Sequence, residues 1–160
     1  MADSARNALH YPLPRVRHLP GSGSVADHEV LDAVLAQCPL QTEVDKWYAH
    51  SVYLYGWRML QGGFYWEAHE IWECVWQRCP ANSLEKLLMQ ALIQTANALL
   101  KRRLGQDRAQ CRLIAHVLSL FDEIQRRSPE PTHLMGVNTT AFSQMLISLN
   151  TYLCQSISAK

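Results

Sequence analysis

The sequence predicts an all-α protein, a compact bundle of five main helices preceded by a shorter one. Three observations carry that expectation. Apolar residues recur at helical spacing through most of the chain. The breakers Pro39, Gly62-Gly63, Pro80, Gly105 and Pro129 fall between those runs. No alternating apolar and polar stretch of the kind a half-buried strand needs competes with them. At 160 residues the chain suits one core. Residues 1–24 read as an arm, because Pro12, Pro14 and Pro20 interrupt any helix there, and residues 25–160 read as the helical domain.

The first helix is short, about Val25 to Gln37, and Cys38-Pro39 stops it because a residue before proline avoids helical angles. The second starts with Thr42 as N-cap and runs to about Leu60, with Val44, Trp47, Tyr48, Leu54, Tyr55 and Met59 on one broad face. Gly62-Gly63 end it, and Gly63 is expected to need a positive φ. The third spans about Tyr65 to Arg78. Asn82 with Glu85 three residues on forms a capping arrangement for the fourth, about Ser83 to Leu104, which Gly105 closes. Asp107 caps the fifth, about Arg108 to Arg127. A loop with Pro129 and Pro131 leads to the last, about Thr140 to Ser156.

Composition narrows the function classes. Hydrophobic residues make up 48% and charged ones 18%, which is the balance of a folded domain and not of a disordered chain. The formal net charge of +1 argues against a dedicated nucleic-acid binder. The basic run of Lys101, Arg102, Arg103 and Arg108 sits where cations complement a helix C-terminus. Five cysteines with no CxxC pair imply reduced thiols and a cytoplasmic protein. No apolar stretch is long enough to span a membrane, and the start lacks a secretory signal. The hydrophobic content and five tryptophans favour burial between two copies, so a homodimer is expected.

The fourth helix is apolar around most of its circumference. Its polar remainder, Lys86, Gln90, Gln94, Asn97 and Lys101, forms one narrow stripe that either faces water or lines a polar pocket.

The densest polar-aromatic segment is Phe64 to Trp76. On a helix, Tyr65, Ala68, Trp72, Val75 and Trp76 share the buried face, with His69 at its border and Glu73 one turn on. A histidine and a carboxylate four apart can reach one metal ion, as the histidines of H-E-x-x-H do. The pattern here is H-E-x-x-E. His69 and Glu73 are therefore the candidate ligands, and Glu70 the candidate base that activates water. A third ligand would come from another helix, with His50, His116 or Gln94 available. Glu67, Gln90 and Gln94 are further candidates for a polar cluster. The mixed donor set suits zinc, manganese or iron. The competing reading is structural: His69 and Glu73 satisfy hydrogen bonds to neighbouring helices while Glu67 and Glu70 face solvent. Either way a border histidine needs a partner, so His69 is expected to meet a polar group on the second or fourth helix, with Glu73 or Gln94 close.

The run Gly63-Phe64-Tyr65-Trp66-Glu67-Ala68-His69-Glu70-Ile71-Trp72-Glu73, then Gln90-Ala91-Leu92-Ile93-Gln94 and Arg102-Arg103-Leu104-Gly105, resembles the family called domain of unknown function 309. The Leu134-Met135-Gly136-Val137 segment resembles a late part of the same pattern. The resemblance implies an all-helical fold and a metal-dependent hydrolase with His69, Glu70 and Glu73 at the motif positions. Many members carry a histidine near the end of the fourth helix, where this chain reads Leu100-Lys101. The alternative is a non-catalytic helical module whose His/Glu network is structural and which binds a second copy or another protein.

Overall fold

The computed structural model describes residues 11–21, 28–130 and 133–158. Within them the chain forms α1 (His28–Leu35), a 3₁₀ segment (Val44–Ala49), α2 (Ser51–Gln61), α3 (Tyr65–Gln77), α4 (Leu84–Arg103) and α5 (Asp107–Arg127). A hairpin of β1 (His133–Leu134) and β2 (Val137–Asn138) then leads into α6 (Thr139–Ser158). The architecture is the expected all-α bundle. No helix among the described residues is long and apolar enough to cross a membrane. The predicted start of the first helix, 25–27, lies outside the described residues.

Consecutive helices pack as neighbours, α2 on α3, α3 on α4 and α4 on α5, as short connections dictate. α4 is the central element: Leu88, Met89, Ala91, Leu92 and Ala96 are completely buried. α2 and α3 approach closely through Gly56, whose backbone faces the indole of Trp72. A Cβ at Gly56 would lie 2.2 Å from Trp72 Nε1, and that nitrogen donates to the Tyr53 carbonyl at 3.2 Å. Trp57 meets the same indole edge-on, with centroids 5.1 Å apart.

The predicted second helix is in fact two elements. His50 has ψ 90 and its Nδ1 accepts from the Tyr53 N–H, so it caps α2 and separates it from the 3₁₀ segment. Thr42 is therefore not an N-cap. Its backbone N–H donates to the Arg78 carbonyl (2.9 Å) and its hydroxyl donates to the Val75 carbonyl (3.2 Å), which pins the chain to the C-terminal end of α3.

Two other caps also shift by a residue. Ser83, not Asn82, caps α4 by accepting from the Lys86 N–H at 3.0 Å, while Asn82 takes a positive φ of 58. Asp107 lies inside α5, and Gln106 occupies the cap with no side-chain bond. The glycines behave as expected. Gly63 has φ 76 between α2 and α3. Gly105 has φ 68 and closes α4, with Gln106 N–H donating to Lys101 O and Gly105 N–H to Arg102 O. The basic end of α4 also makes a tertiary contact. Arg103 donates to the Gly63 carbonyl and lies 4.4 Å over the Tyr65 ring, so it ties the end of α4 to the α2–α3 turn.

The hairpin is an addition to the predicted elements. Its two-residue turn puts both Met135 (φ 46) and Gly136 (φ 80) in the left-handed region, the geometry that joins two short antiparallel strands. Tyr53 fastens it to α2 by donating to the Met135 carbonyl at 2.8 Å, and burial pushes that phenol up to about 12. Asn138 caps α6 through its side-chain oxygen, which accepts from the Ala141 N–H.

The arm lies along α2 and the start of α3. Tyr55 donates to the Pro12 carbonyl and Arg58 to the Tyr11 carbonyl, each at 2.6 Å. Arg17 makes two bonds to the Gly62 carbonyl, at 2.9 and 3.2 Å, and sits over the Phe64 ring.

Candidate functional site

The polar motif occupies the outer side of α3, and the helix backbone sets its geometry. Ala68, Ile71, Trp72 and Val75 are fully buried and seat the helix against α2 and α4. Positions 66, 69, 70 and 73 then fall on one stripe at the border of that face. His69 Nε2 lies 3.5 Å from Glu73 Oε2 and 3.8 Å from Glu70 Oε1. The side chains of His69, Glu70 and Glu73 are 22%, 34% and 44% exposed, so the group is half-covered and reachable. Each residue offers one ligand atom, and the three atoms lie within 4.8 Å of one another.

The third member is thus Glu70, on the same helix. The sequence pointed to another helix for it, and none of its candidates arrives. His50 is buried as the cap of α2, where burial lowers its pKa. His116 is exposed on α5. Gln94 stays with the α4 stripe, accepting from Asn97 Nδ2 at 3.4 Å. Gln90 lines a recess with Trp76, Ser83 and Lys86. The expected contact of His69 with α2 or α4 is also corrected: its ion-pair partners among the described residues are both on α3.

Glu67 is the largest departure. Expected to face solvent or join the cluster, it is 1% exposed. Its Oε1 accepts from the backbone N–H of His18 at 2.8 Å, and its Oε2 has no hydrogen-bond partner among the described residues. Helical arithmetic explains the burial, since position 67 is four residues before Ile71 and three after Phe64, both on the inner face.

Charge and burial act together on Glu70. Burial pushes its carboxyl above its ordinary value. The charge of Glu73 adds to that, while His69 and His18 pull it down. His69 itself carries an unbalanced feature: its Nδ1 is buried with no hydrogen-bond partner among the described residues. The sequence reading missed His18. It stands between Arg17 and Leu19 in a segment without periodicity, so only the folded arm reveals that it reaches α3.

Residues 53–113 match the family described as Domain of unknown function (DUF309). The matched span runs from α2 into α5 and contains the whole His69, Glu70 and Glu73 cluster. No curated protein and no solved structure matches the chain.

Proposed function

We propose that the outer stripe of α3 binds one divalent transition-metal ion and that the protein is a metal-dependent hydrolase. The observation that carries this reading is the cluster of His69, Glu70 and Glu73, with three ligand atoms inside 4.8 Å. One imidazole and two carboxylates form a donor set suited to zinc, manganese or iron. Partial exposure leaves room on the outer side for water and substrate, as a catalytic centre requires. His69 and Glu73 would hold the ion. Glu70, with its carboxyl raised by burial, is suited to accept a proton from water. When bound, such an ion supplies Lewis acidity that brings the ionisation of water near neutrality.

The rival reading, a structural polar network, is weakened by His69 Nδ1. Buried networks stabilise when every member is satisfied, and this nitrogen has no partner among the described residues. The decisive experiment is metal analysis of protein purified without a metal-binding tag, followed by calorimetric titration of the apo protein with Zn²⁺ and Mn²⁺. The expected result is one ion per chain, with binding abolished by His69→Ala. Absence of binding in the parent protein removes the hydrolase reading.

A second reading, association with another copy of the chain, has its own support. A cavity of about 410 Å³ between the 3₁₀ segment, α2, the hairpin and α6 is lined by Trp47, Trp57, Phe142 and Met145. Met145 and the nearby Ile147 are more than half exposed. A two-fold partner covering this face would bury both. Sedimentation at micromolar concentration should then give twice the chain mass, and a monomer throughout that range removes this reading.

A further inference from the structure

Three cysteines that the stripe on α3 does not use meet around the last turn of that helix. Cys74 lies on α3 itself, Cys79 just past its end, and Cys38 in the loop after α1. All three are free thiols, but they are not alike. Cys79 is 5% exposed and burial pushes its thiol up to about 11, so it serves as a small apolar side chain of the core. Cys74 is half-buried, and its Sγ accepts from Arg78 Nη1 at 2.8 Å. The same nitrogen donates to the Cys74 carbonyl at 3.0 Å, which fixes the guanidinium against the sulfur. A partly exposed sulfur beside a cation is the setting of reactive cysteines, whereas apolar burial makes them inert.

Cys38 gives that sulfur a partner. Its thiol hydrogen-bonds to Cys74, and burial together with that bond pushes it up to about 12, so Cys38 keeps its proton and is the donor of the pair. The backbone holds the arrangement. Cys38 N–H donates to the Leu35 carbonyl at 3.0 Å and Thr42 N–H to the Arg78 carbonyl at 2.9 Å, so the short loop that carries Cys38 is tied on both sides. Arg78 therefore anchors the loop through its carbonyl and Cys74 through its side chain. Two thiols already in contact can be joined without the backbone movement that a separated pair requires.

We propose that Cys38 and Cys74 form an oxidant-reactive pair, in which Cys74 meets a hydroperoxide and Cys38 resolves the product into a disulfide. In the first step the Cys74 sulfur attacks the hydroperoxide. An S–O bond forms, the O–O bond breaks, and the thiol proton leaves on the departing oxygen as water, or as alcohol from an organic hydroperoxide. Cys74 is oxidised by two electrons to a sulfenic acid, and the peroxide is reduced by the same two. The Cys38 sulfur then attacks the Cys74 sulfur. An S–S bond forms, the S–O bond breaks, and the hydroxyl leaves with the Cys38 proton as water. The product ties the loop after α1 to the last turn of α3. These sulfurs are separate from the donors His69, Glu70 and Glu73, so the pair does not depend on the metal-binding reading.

The test uses the full chain, reduced and freed of reductant, with a chelator present and hydrogen peroxide in small molar excess. Remaining thiols are alkylated under denaturing conditions, and the peptides are mapped by mass spectrometry without reduction. The expected result is one intramolecular disulfide joining the Cys38 and Cys74 peptides, with Cys79 still alkylated. In Cys38→Ala a cyclic-diketone reagent should trap the sulfenic acid on Cys74, and in Cys74→Ala the Cys38 thiol should stay unoxidised. Oxidation of Cys38 in the latter variant overturns the assigned order. Complete alkylation of Cys38 and Cys74 in the treated parent overturns the pair itself, as does a disulfide that joins any other two cysteines or two chains. The deciding measurement is made on the parent protein, so a variant that fails to fold does not remove it.

Discussion

Replacing His69 by leucine should leave the metal-free protein at least as stable as the parent, which is the reverse of what a structural histidine would show. The magnitudes come from three contributions. The buried Nδ1 has no partner among the described residues, and an unsatisfied buried polar group costs about 1–3 kcal/mol. The contacts of Nε2 with Glu73 and Glu70, at 3.5 and 3.8 Å, involve carboxylates a third or more exposed, so each contributes about 0–1 kcal/mol. Without the imidazole, Glu70 and Glu73 repel each other at a spacing of three, which costs about 0.2–0.5 kcal/mol. With the middle of each range, the balance for His69→Leu comes to roughly 0.7 kcal/mol in favour of the variant, and the extremes run from about 1.5 kcal/mol against it to about 2.8 kcal/mol for it. Urea unfolding at neutral pH with a chelator present measures it. Saturating Zn²⁺ or Mn²⁺ should then invert the order, because an ion at a hundred times its dissociation constant stabilises the parent alone by about 2.7 kcal/mol. A loss of more than about 1.5 kcal/mol in the metal-free variant would refute the reasoning and return His69 to a structural role.

Glu70→Gln should raise the melting temperature of the metal-free protein at pH 7 and leave it unchanged at pH 3. The folded carboxyl is raised by burial, so the folded state disfavours its charge, and that stability cost appears only as pH rises through the ordinary carboxylate range to the raised value. Equal effects at both pH values would show that the substitution acts through packing. Gly56→Ala should destabilise despite about 1 kcal/mol of improved helix propensity, since the new Cβ would meet Trp72 at 2.2 Å in a fully buried position and overpacking costs about 1–3 kcal/mol. A variant as stable as the parent in urea would show that α2 can move off Trp72. Gly63→Val should lose more than about 1 kcal/mol, because φ is 76 and the Cβ would press within 2.8 Å of Arg103 Nη2. Denaturation without that loss would show that the turn relaxes freely.

What could be read from the residues was local. The helices announced themselves by periodicity, and Gly63 and Gly105 by the sharp turns they allow. The pairing of His69 with Glu73 follows from helical spacing alone, and the structure retains it. What could not be read depended on contacts across the fold. Val44, Trp47 and Tyr48 fit a helical face, yet Thr42 is drawn to the end of α3 and His50 takes over the cap of α2. The hairpin has only two residues per strand, too few for an alternating pattern. Glu67 was misplaced for a different reason: its position on the helix pointed inward, and its charge argued outward. Position prevailed because the arm supplies a hydrogen bond. Glu70 was expected beside the His69–Glu73 pair and not within the same group of donor atoms, because adjacent helical residues diverge by about 100°. Glutamate is long enough to turn back to its neighbour, and the cluster is completed on one helix.

On the proposed metal-binding reading the two sides of α3 have separate roles, and this makes two kinds of failure separable. The inner side, through Ala68, Ile71, Trp72 and Val75, anchors the helix in a core that excludes solvent. The outer side carries the donors at distances set by backbone hydrogen bonds and not by loops, and sites built on rigid elements are the most precise. A core substitution such as Gly56→Ala therefore acts on metal binding only through the fraction of protein that is folded. Its affinity, corrected for that fraction, should equal the parent's. Changes at His69 or Glu73 would act at the other level, altering the donor set while the bundle stays intact. Stability and affinity should thus vary independently between these two groups of variants. If they instead rise and fall together across both, the stripe on α3 is part of the scaffold and not a site mounted upon it.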